Sequence, residues 1–261
     1  VIRISILTDN RAGSGFLAEH GLSYFIEYDN TSILFDAGNT DVFLQNAQKL
    51  GINLQNAVNT IVLSHGHWDH GNGLQYIHNK PLITHPKSCI KRYRKHSMSY
   101  IGLQQSQSEL ERSFTVRYSS LPYAITDSIY FLGEIPRITS FEAKTTNFVD
   151  ESNNPDFVPD DSALAIRYNN QLIIISGCAH AGICNTIEYA KKVTGLKSVF
   201  AVLGGFHLKH PDEQTVQTIA YFKAHAIQHI YPSHCTELPA LALFYQEFKI
   251  RLLHTGMILS W

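Results

Sequence analysis

Three imidazoles and a carboxylate fall within six residues in the segment Ser64-His65-Gly66-His67-Trp68-Asp69-His70-Gly71. Those residue types at that density bind metal ions. On a loop, His65 and His67 can aim at one ion while Asp69 and His70 aim at a neighbour. Imidazole with carboxylate suits zinc, iron, manganese and other first-row ions, and each half-site then wants a further ligand. Gly66 and Gly71 leave the backbone room to fold tightly around the ions. The plain alternative, a polar surface loop, would require four ligand-capable residues to gather at one strand exit by coincidence.

The surrounding pattern shows what must position this cluster. Ile2, Ile4 and Ile6 alternate with Arg3 and Ser5, the mark of a half-buried strand. Leu22–Tyr28 and Ser32–Asp36 are strand-like runs joined by Asp29-Asn30, which predicts a hairpin. Asn39 or Thr40 can cap a helix carrying Val42, Phe43, Ala47 and Leu50, closed by Gly51. The strand Thr60–Ser64 then runs into the histidine cluster. Further on, Ala163–Tyr168 and Gln171–Ser176 form a second hairpin around Asn169-Asn170. After it, helices near 182–193, 212–224 and 238–248 alternate with strands near 198–203, 229–231 and 257–260. Each half thus opens with strands and continues with alternating helices and strands. The pattern predicts an α/β (α+β) fold, a four-layer αββα sandwich, with 1–261 as a single domain. Residues 87–125 read as a lid or insertion. Within it, the basic run Lys91–His96 and the polar run Gln104–Glu111 read as a solvated helix face and a surface loop.

Composition narrows the function classes. The chain has 261 residues, 44% hydrophobic and 16% charged, enough apolar surface to fold without disulfide staples. A net charge of −1 offers no broad footprint for nucleic acid, and no stretch approaches a membrane span. The alternating start, with Arg3, reads as a strand and not as a signal peptide. Four scattered cysteines fit free thiols, so cytoplasm is the expected compartment. Neither a Gly-x-Ser-x-Gly elbow nor a Walker loop is present, which removes the common serine-hydrolase and nucleotide-triphosphatase readings. Seven of the 14 histidines, at 78, 85, 96, 210, 225, 229 and 254, lack a companion at ligand spacing and read as surface or structural residues. His20 stays open between the two. Asp36, at a strand end, is expected to orient a ligand imidazole through its other ring nitrogen, and Trp68 to pack under the cluster or in the core. His180 and His234, both following strands, are each open to a ligand role or a satisfied polar one.

The His-x-His-x-Asp-His motif resembles the signature of the metallo-β-lactamase superfamily. The segments Glu19–Ser23, Leu34–Gly38, Gly133–Arg137, Asp160–Leu164, Ser176–Gly182, Gly204–Leu208 and Ser233–Cys235 further resemble its dihydropterin ribofuranosyl-aminobenzene phosphate synthase-like branch. That resemblance implies a metal-dependent hydrolase holding two divalent ions, zinc first with manganese or iron as alternatives. It implies six ligands, His65, His67, Asp69, His70, His180 and His234. Asp69 would also act on the nucleophile, and His207 would protonate a leaving group. Where many members have Gly-Asp, this chain has Gly177-Cys178, so Cys178, Asp161 or His207 is left to complete the metal site. The expected substrate is a small phosphorylated molecule, a phosphoester with a pterin-like part as one form, met by Arg137 or the Lys91–Lys95 run. A mononuclear-iron oxygenase of the same fold and a non-catalytic metal-binding protein are the rivals. Oligomeric state is not legible.

Overall fold

The computed structural model describes residues 1–261. From the N-terminus come β1 (Arg3–Thr8), β2 (Ser23–Tyr28), β3 (Thr31–Phe35), α1 (Val42–Lys49), α2 (Leu54–Ala57), β4 (Thr60–Val62), α3 (Trp68–Gly71) and β5 (Pro81–Thr84). The middle holds β6 (Arg92–Arg94), α4 (Gln107–Ser113), β7 (Thr115–Tyr118), β8 (Tyr123–Ala124), β9 (Ile129–Phe131) and β10 (Phe148–Asp150). The remainder is β11 (Ala163–Tyr168), β12 (Gln171–Ser176), α5 (Ile183–Thr194), β13 (Val199–Gly205), α6 (Glu213–Ala224), β14 (His229–Ser233), α7 (Leu238–Phe248) and β15 (Ile258–Ser260). Two compact units result. The first is Val1–Ser119 with Asn147–Asp156 and Leu253–Trp261; the second is Ser120–Thr146 with Phe157–Leu252. No helix is long and apolar enough to cross a membrane.

The first unit is built on a seven-stranded sheet in the order β15-β1-β2-β3-β4-β5-β7. Its β2–β3 hairpin turns at Asp29 and Asn30, both with positive φ, as a two-residue turn matched to strand twist requires. β3, β4, β5 and β7 run parallel, so the loop after β4 opens at the carboxyl end of the parallel strands. Phe43, Ala47, Leu54, Leu63 and Leu74 bury with Phe25 and Leu34 of the sheet. β1 differs from its expectation: Ser5 is as fully buried as the isoleucines, so both faces are covered. The cap of α1 also differs, being Asp41 and not Asn39 or Thr40. Glu19 is the reason. Its carboxylate accepts from the backbone N–H of Asn39 (2.9 Å) and from the Thr40 hydroxyl (2.6 Å), which takes both residues out of the helix.

The basic run at 91–96 is not a helix face. Arg92–Arg94 is a strand paired with β10, and Arg92 is fully buried, 3.1 Å from the Asp156 carboxylate. A buried guanidinium needs such a partner, and this one lies far along the chain where a local pattern cannot reveal it. The polar run at 104–111 becomes helix from Gln107, started by a capping box between Ser106 and Glu109.

The second unit carries a six-stranded sheet, β14-β13-β12-β11-β9-β8. β11 and β12 form the expected hairpin around Asn169 and Asn170, both at positive φ. β12, β13 and β14 are parallel, with α5 and α6 as crossovers, so three strand ends again point the same way. Ile183, Ile187, Phe206, Phe222 and Phe244 form the core under those helices. Each unit is therefore a mixed sheet with helices, the fold class read from the sequence.

Glu142 starts α5 from outside the helix. It accepts from the backbone N–H of Cys184 (2.9 Å) and Asn185 (2.8 Å), while Asn185 Oδ1 accepts from Ile138 N and Thr139 N. Burial pushes the Glu142 carboxyl above its ordinary value of 4.5, against these hydrogen bonds, which lower it. An acid raised on folding binds more protons folded than unfolded, so its contribution is full at low pH and declines as pH rises above about 4.5. Glu142→Gln keeps an acceptor and should flatten that part of the stability profile. Glu142→Ala should cost about 1–3 kcal/mol. Urea unfolding of metal-free protein across pH 4–8 would measure both, with the range taken from where carboxyls titrate.

Candidate metal centre

In the first unit, β4 delivers the chain into Ser64-His65-Gly66-His67, and α3 follows with Asp69 and His70. All four ligand-type side chains are buried, His65 and His70 completely. Gly66 has no room for a Cβ against the Ser88 carbonyl, which is why the loop needs glycine there. Beneath the loop lies Asp36, at the end of β3 with φ +55°. Its Oδ1 accepts from Ser64 N (2.7 Å), and its Oδ2 accepts from Ser64 Oγ (2.7 Å) and from His70 Nδ1 (2.7 Å). A carboxylate can only accept, so His70 carries a proton on Nδ1, which leaves Nε2 as its ligand atom. The Ser64 hydroxyl spends its one proton on Asp36 and therefore accepts from His65 Nδ1 (2.9 Å), fixing His65 in the same tautomer. The expectation for Asp36 is met on His70 directly and on His65 through Ser64.

Burial, followed by the neighbouring His70 and His67, holds His65 well below its ordinary pKa, so the ring is neutral. His65 Nε2 lies 3.0 Å from His67 Nδ1. That separation is short enough for both nitrogens to serve one ion. Phe148 packs edge-on against His67 with ring centroids 5.1 Å apart, and the His65 and His70 rings are 4.2 Å apart. These residues suit a first-row divalent ion: buried imidazoles, two of them with the Nδ1 proton held, beside a buried carboxylate.

In the second unit the groups collect at the ends of β12, β13 and β14. Cys178, Ala179 and His180 follow β12, His207 follows β13 and His234 follows β14. Ala179, His207 and His234 all have positive φ, between +50° and +54°. Non-glycine residues pay for that conformation, and such strain gathers where side chains must be aimed. The His180 and His207 rings lie 4.4 Å apart. Cys178 Sγ, Cys235 Sγ and a His207 nitrogen all fall within 4.8 Å of one another. Burial raises the Cys235 thiol, but hydrogen bonds from Cys178 and His207 and the charges of His207 and His234 outweigh it, holding the thiol well below its usual range. Asp161 accepts from Ala181 N (2.8 Å) through Oδ2, and burial pushes its carboxyl up to about 6. It thereby holds the backbone beside His180.

The structure thus gathers His65, His67, Asp69 and His70 in one unit, and His180, His207, Cys178 and Cys235 with His234 at neighbouring strand ends of the other. Two participants escaped the sequence reading. Cys235 is a lone cysteine with no local companion. His20, left open there, sits 3.2 Å from Asp69 Oδ2 and 5.5 Å from the Trp68 ring. Arg137 donates to the Phe157 carbonyl, and Lys91 pairs with Glu151 at 3.3 Å.

Known proteins resemble this chain in sequence and in fold. The family model of the metallo-β-lactamase superfamily matches residues 18–191. An uncharacterised protein of Methanocaldococcus jannaschii is 35% identical, over 98% of this chain and 99% of its own length. The 7,8-dihydropterin-6-methyl-4-(β-D-ribofuranosyl)-aminobenzene-5′-phosphate synthase of the same organism is 33% identical, over 100% and 97%. A crystal structure of a metal-dependent hydrolase of the β-lactamase superfamily superposes with a TM-score of 0.89 at 29% identity, covering 100% of this chain and 99% of that one.

Proposed function

The chain belongs to the metallo-β-lactamase superfamily, and from that premise we propose that it is a metal-dependent hydrolase acting on a small phosphorylated substrate, a phosphoester with a pterin-like part as one form. The observation that carries the metal-dependent part is the Asp36 network, which holds the Nδ1 proton of His65 and of His70 and leaves Nε2 of each to serve as the ligand atom. The substrate class follows the phosphorylated pterin in the name of one relative; that relative is a synthase named for making the molecule, so only the molecule's chemistry is borrowed.

In this reading His65, His67, Asp69, His70, His180 and His234 hold two divalent ions. Zinc is favoured over manganese because the second unit offers the thiols of Cys178 and Cys235 beside its imidazoles, and soft donors select zinc. What such ions supply is a water ionised near pH 7 and a polarised phosphoryl oxygen. Asp69 orients the attacking water and takes its proton at a carboxylate oxygen. His207 gives a proton from its ring nitrogen to the departing oxygen. The buried walls of the loop, with Phe148 over His67, keep bulk water from competing. The four free cysteines suit the reducing cytoplasm, and the substrate in this reading is a small molecule, with neither nucleic acid nor membrane as partner.

Metal analysis of protein purified without added metal, alongside turnover of bis-p-nitrophenyl phosphate, tests this. The expected result is two zinc or manganese ions per chain and turnover that a chelator abolishes and zinc restores. One iron with oxygen uptake would replace it with an oxygenase. Turnover of lactones or β-lactams with none of phosphoesters would overturn the substrate class, and metal-free protein that takes up no ion would overturn the site.

A further inference from the structure

The segment Glu19-His20-Gly21-Leu22 is fastened on three sides within the first unit. Glu19 is tied to Asn39 and Thr40, and the Leu22 N–H donates to the Asp69 carbonyl (3.1 Å). Gly21 fits only as glycine, since a Cβ there would meet the Asp69 carbonyl and Gly38 Cα. Between these fastenings His20 reaches Asp69 Oδ2 with Nε2 at 3.2 Å, and Asn10 reaches His20 Nδ1 with its amide nitrogen, also at 3.2 Å.

The proton positions in this chain follow from one unambiguous donor. The backbone N–H of Gly21 lies 3.3 Å from the Asn10 side chain and can only donate, so the Asn10 oxygen faces it. The Asn10 NH2 group therefore faces His20, and Nδ1 of that ring must accept. The ring proton is left on Nε2, which donates to Asp69. We propose that Asn10 and His20 are positioning residues for Asp69: Asn10 sets the tautomer of His20, and His20 sets which way the Asp69 carboxylate faces. The strap fixes the Asp69 backbone through Leu22 and its side chain through His20, leaving little freedom to a group whose direction matters for both ligation and base work. This rests on the reading of Asp69 as ligand and base.

The test uses the full-length chain, zinc alone as the binding probe and bis-p-nitrophenyl phosphate as substrate. His20→Ala should lower zinc affinity and kcat by about 10–100-fold, the usual effect of removing a hydrogen-bond partner of a metal ligand. KM should change by less than about two-fold, because the lost interaction does not touch substrate. His20→Gln, which can still bring an N–H to Asp69, should recover most of the loss. Asn10→Ala should fall between the two. His20 is half-exposed, so a role in stability alone would move the melting temperature and leave zinc affinity untouched. In an Asp69→Asn background His20→Ala should add nothing further, since its effect passes through that carboxylate. Wild-type zinc affinity in His20→Ala, or no recovery in His20→Gln, overturns the relay. If Asp69→Asn is impaired while His20→Ala is not, the relay alone fails; if Asp69→Asn binds zinc as the wild type does, the ligand reading fails with it.

Discussion

Replacing His65 or His70 by alanine should abolish metal-dependent turnover, with a fall of about 10³-fold or more. Lewis-acid and water-activating effects of bound ions contribute several kcal/mol to the transition state, and each 1.36 kcal/mol is tenfold in rate. Both rings are fully buried with their tautomers set, so no neighbouring side chain can substitute for them. The loss should appear first as metal: zinc content should drop by at least one ion per chain while far-ultraviolet circular dichroism stays native. Full turnover with full zinc content in either variant would show that this loop is not the metal site.

Asp36 is expected to be nearly as sensitive, and its two substitutions should fail in different ways. Asp36→Ala leaves Ser64 N, Ser64 Oγ and His70 Nδ1 without their acceptor in a buried site, at a cost of about 3–5 kcal/mol. Asp36→Asn keeps the shape and tolerates the positive φ, but its chemistry is wrong. The Ser64 N–H obliges the asparagine oxygen to take the Oδ1 place, so the amide NH2 faces Ser64 Oγ and His70 Nδ1. The serine hydroxyl can turn; the imidazole cannot without moving its proton to Nε2, where a ligand needs its lone pair. Asp36→Asn should therefore unfold near the wild-type midpoint yet bind zinc about 10–100-fold more weakly. Equilibrium unfolding and zinc competition separate the two outcomes. Wild-type zinc affinity in Asp36→Asn would refute the tautomer argument.

What the sequence could disclose depended on how local each cause was. The hairpins at Asp29-Asn30 and Asn169-Asn170 were legible because the turn residues themselves supply the positive φ. The cluster at 65–70 was legible because its ligand-type residues are neighbours in the chain. Asp36 was legible from its place at a strand end. Arg92 was not: a basic residue among basic residues looks solvated, and only pairing with Asp156 through a distant strand buries it. The α1 cap was misplaced for the same reason, since Glu19 acts on residues 39 and 40 from another segment. His20 and Cys235 carry no signal of their own; their partners, Asp69 and Cys178, are remote in sequence.

The pairing of β15 with β1 has a consequence for how the chain folds. Arg3 is opposite Ser260, so the edge of the seven-stranded sheet joins residues separated by nearly the whole sequence. Contacts of that span close the largest loop available and form late. During synthesis the sheet of the second unit, whose strands all lie between 123 and 233, has all its partners before the ribosome has delivered residue 258. The histidine loop, although made early, belongs to the sheet that is completed last. A nascent chain lacking β15 would thus carry the histidines on a sheet whose edge is the six-residue β1 in place of the three-residue β15, a longer edge and a better template for aggregation.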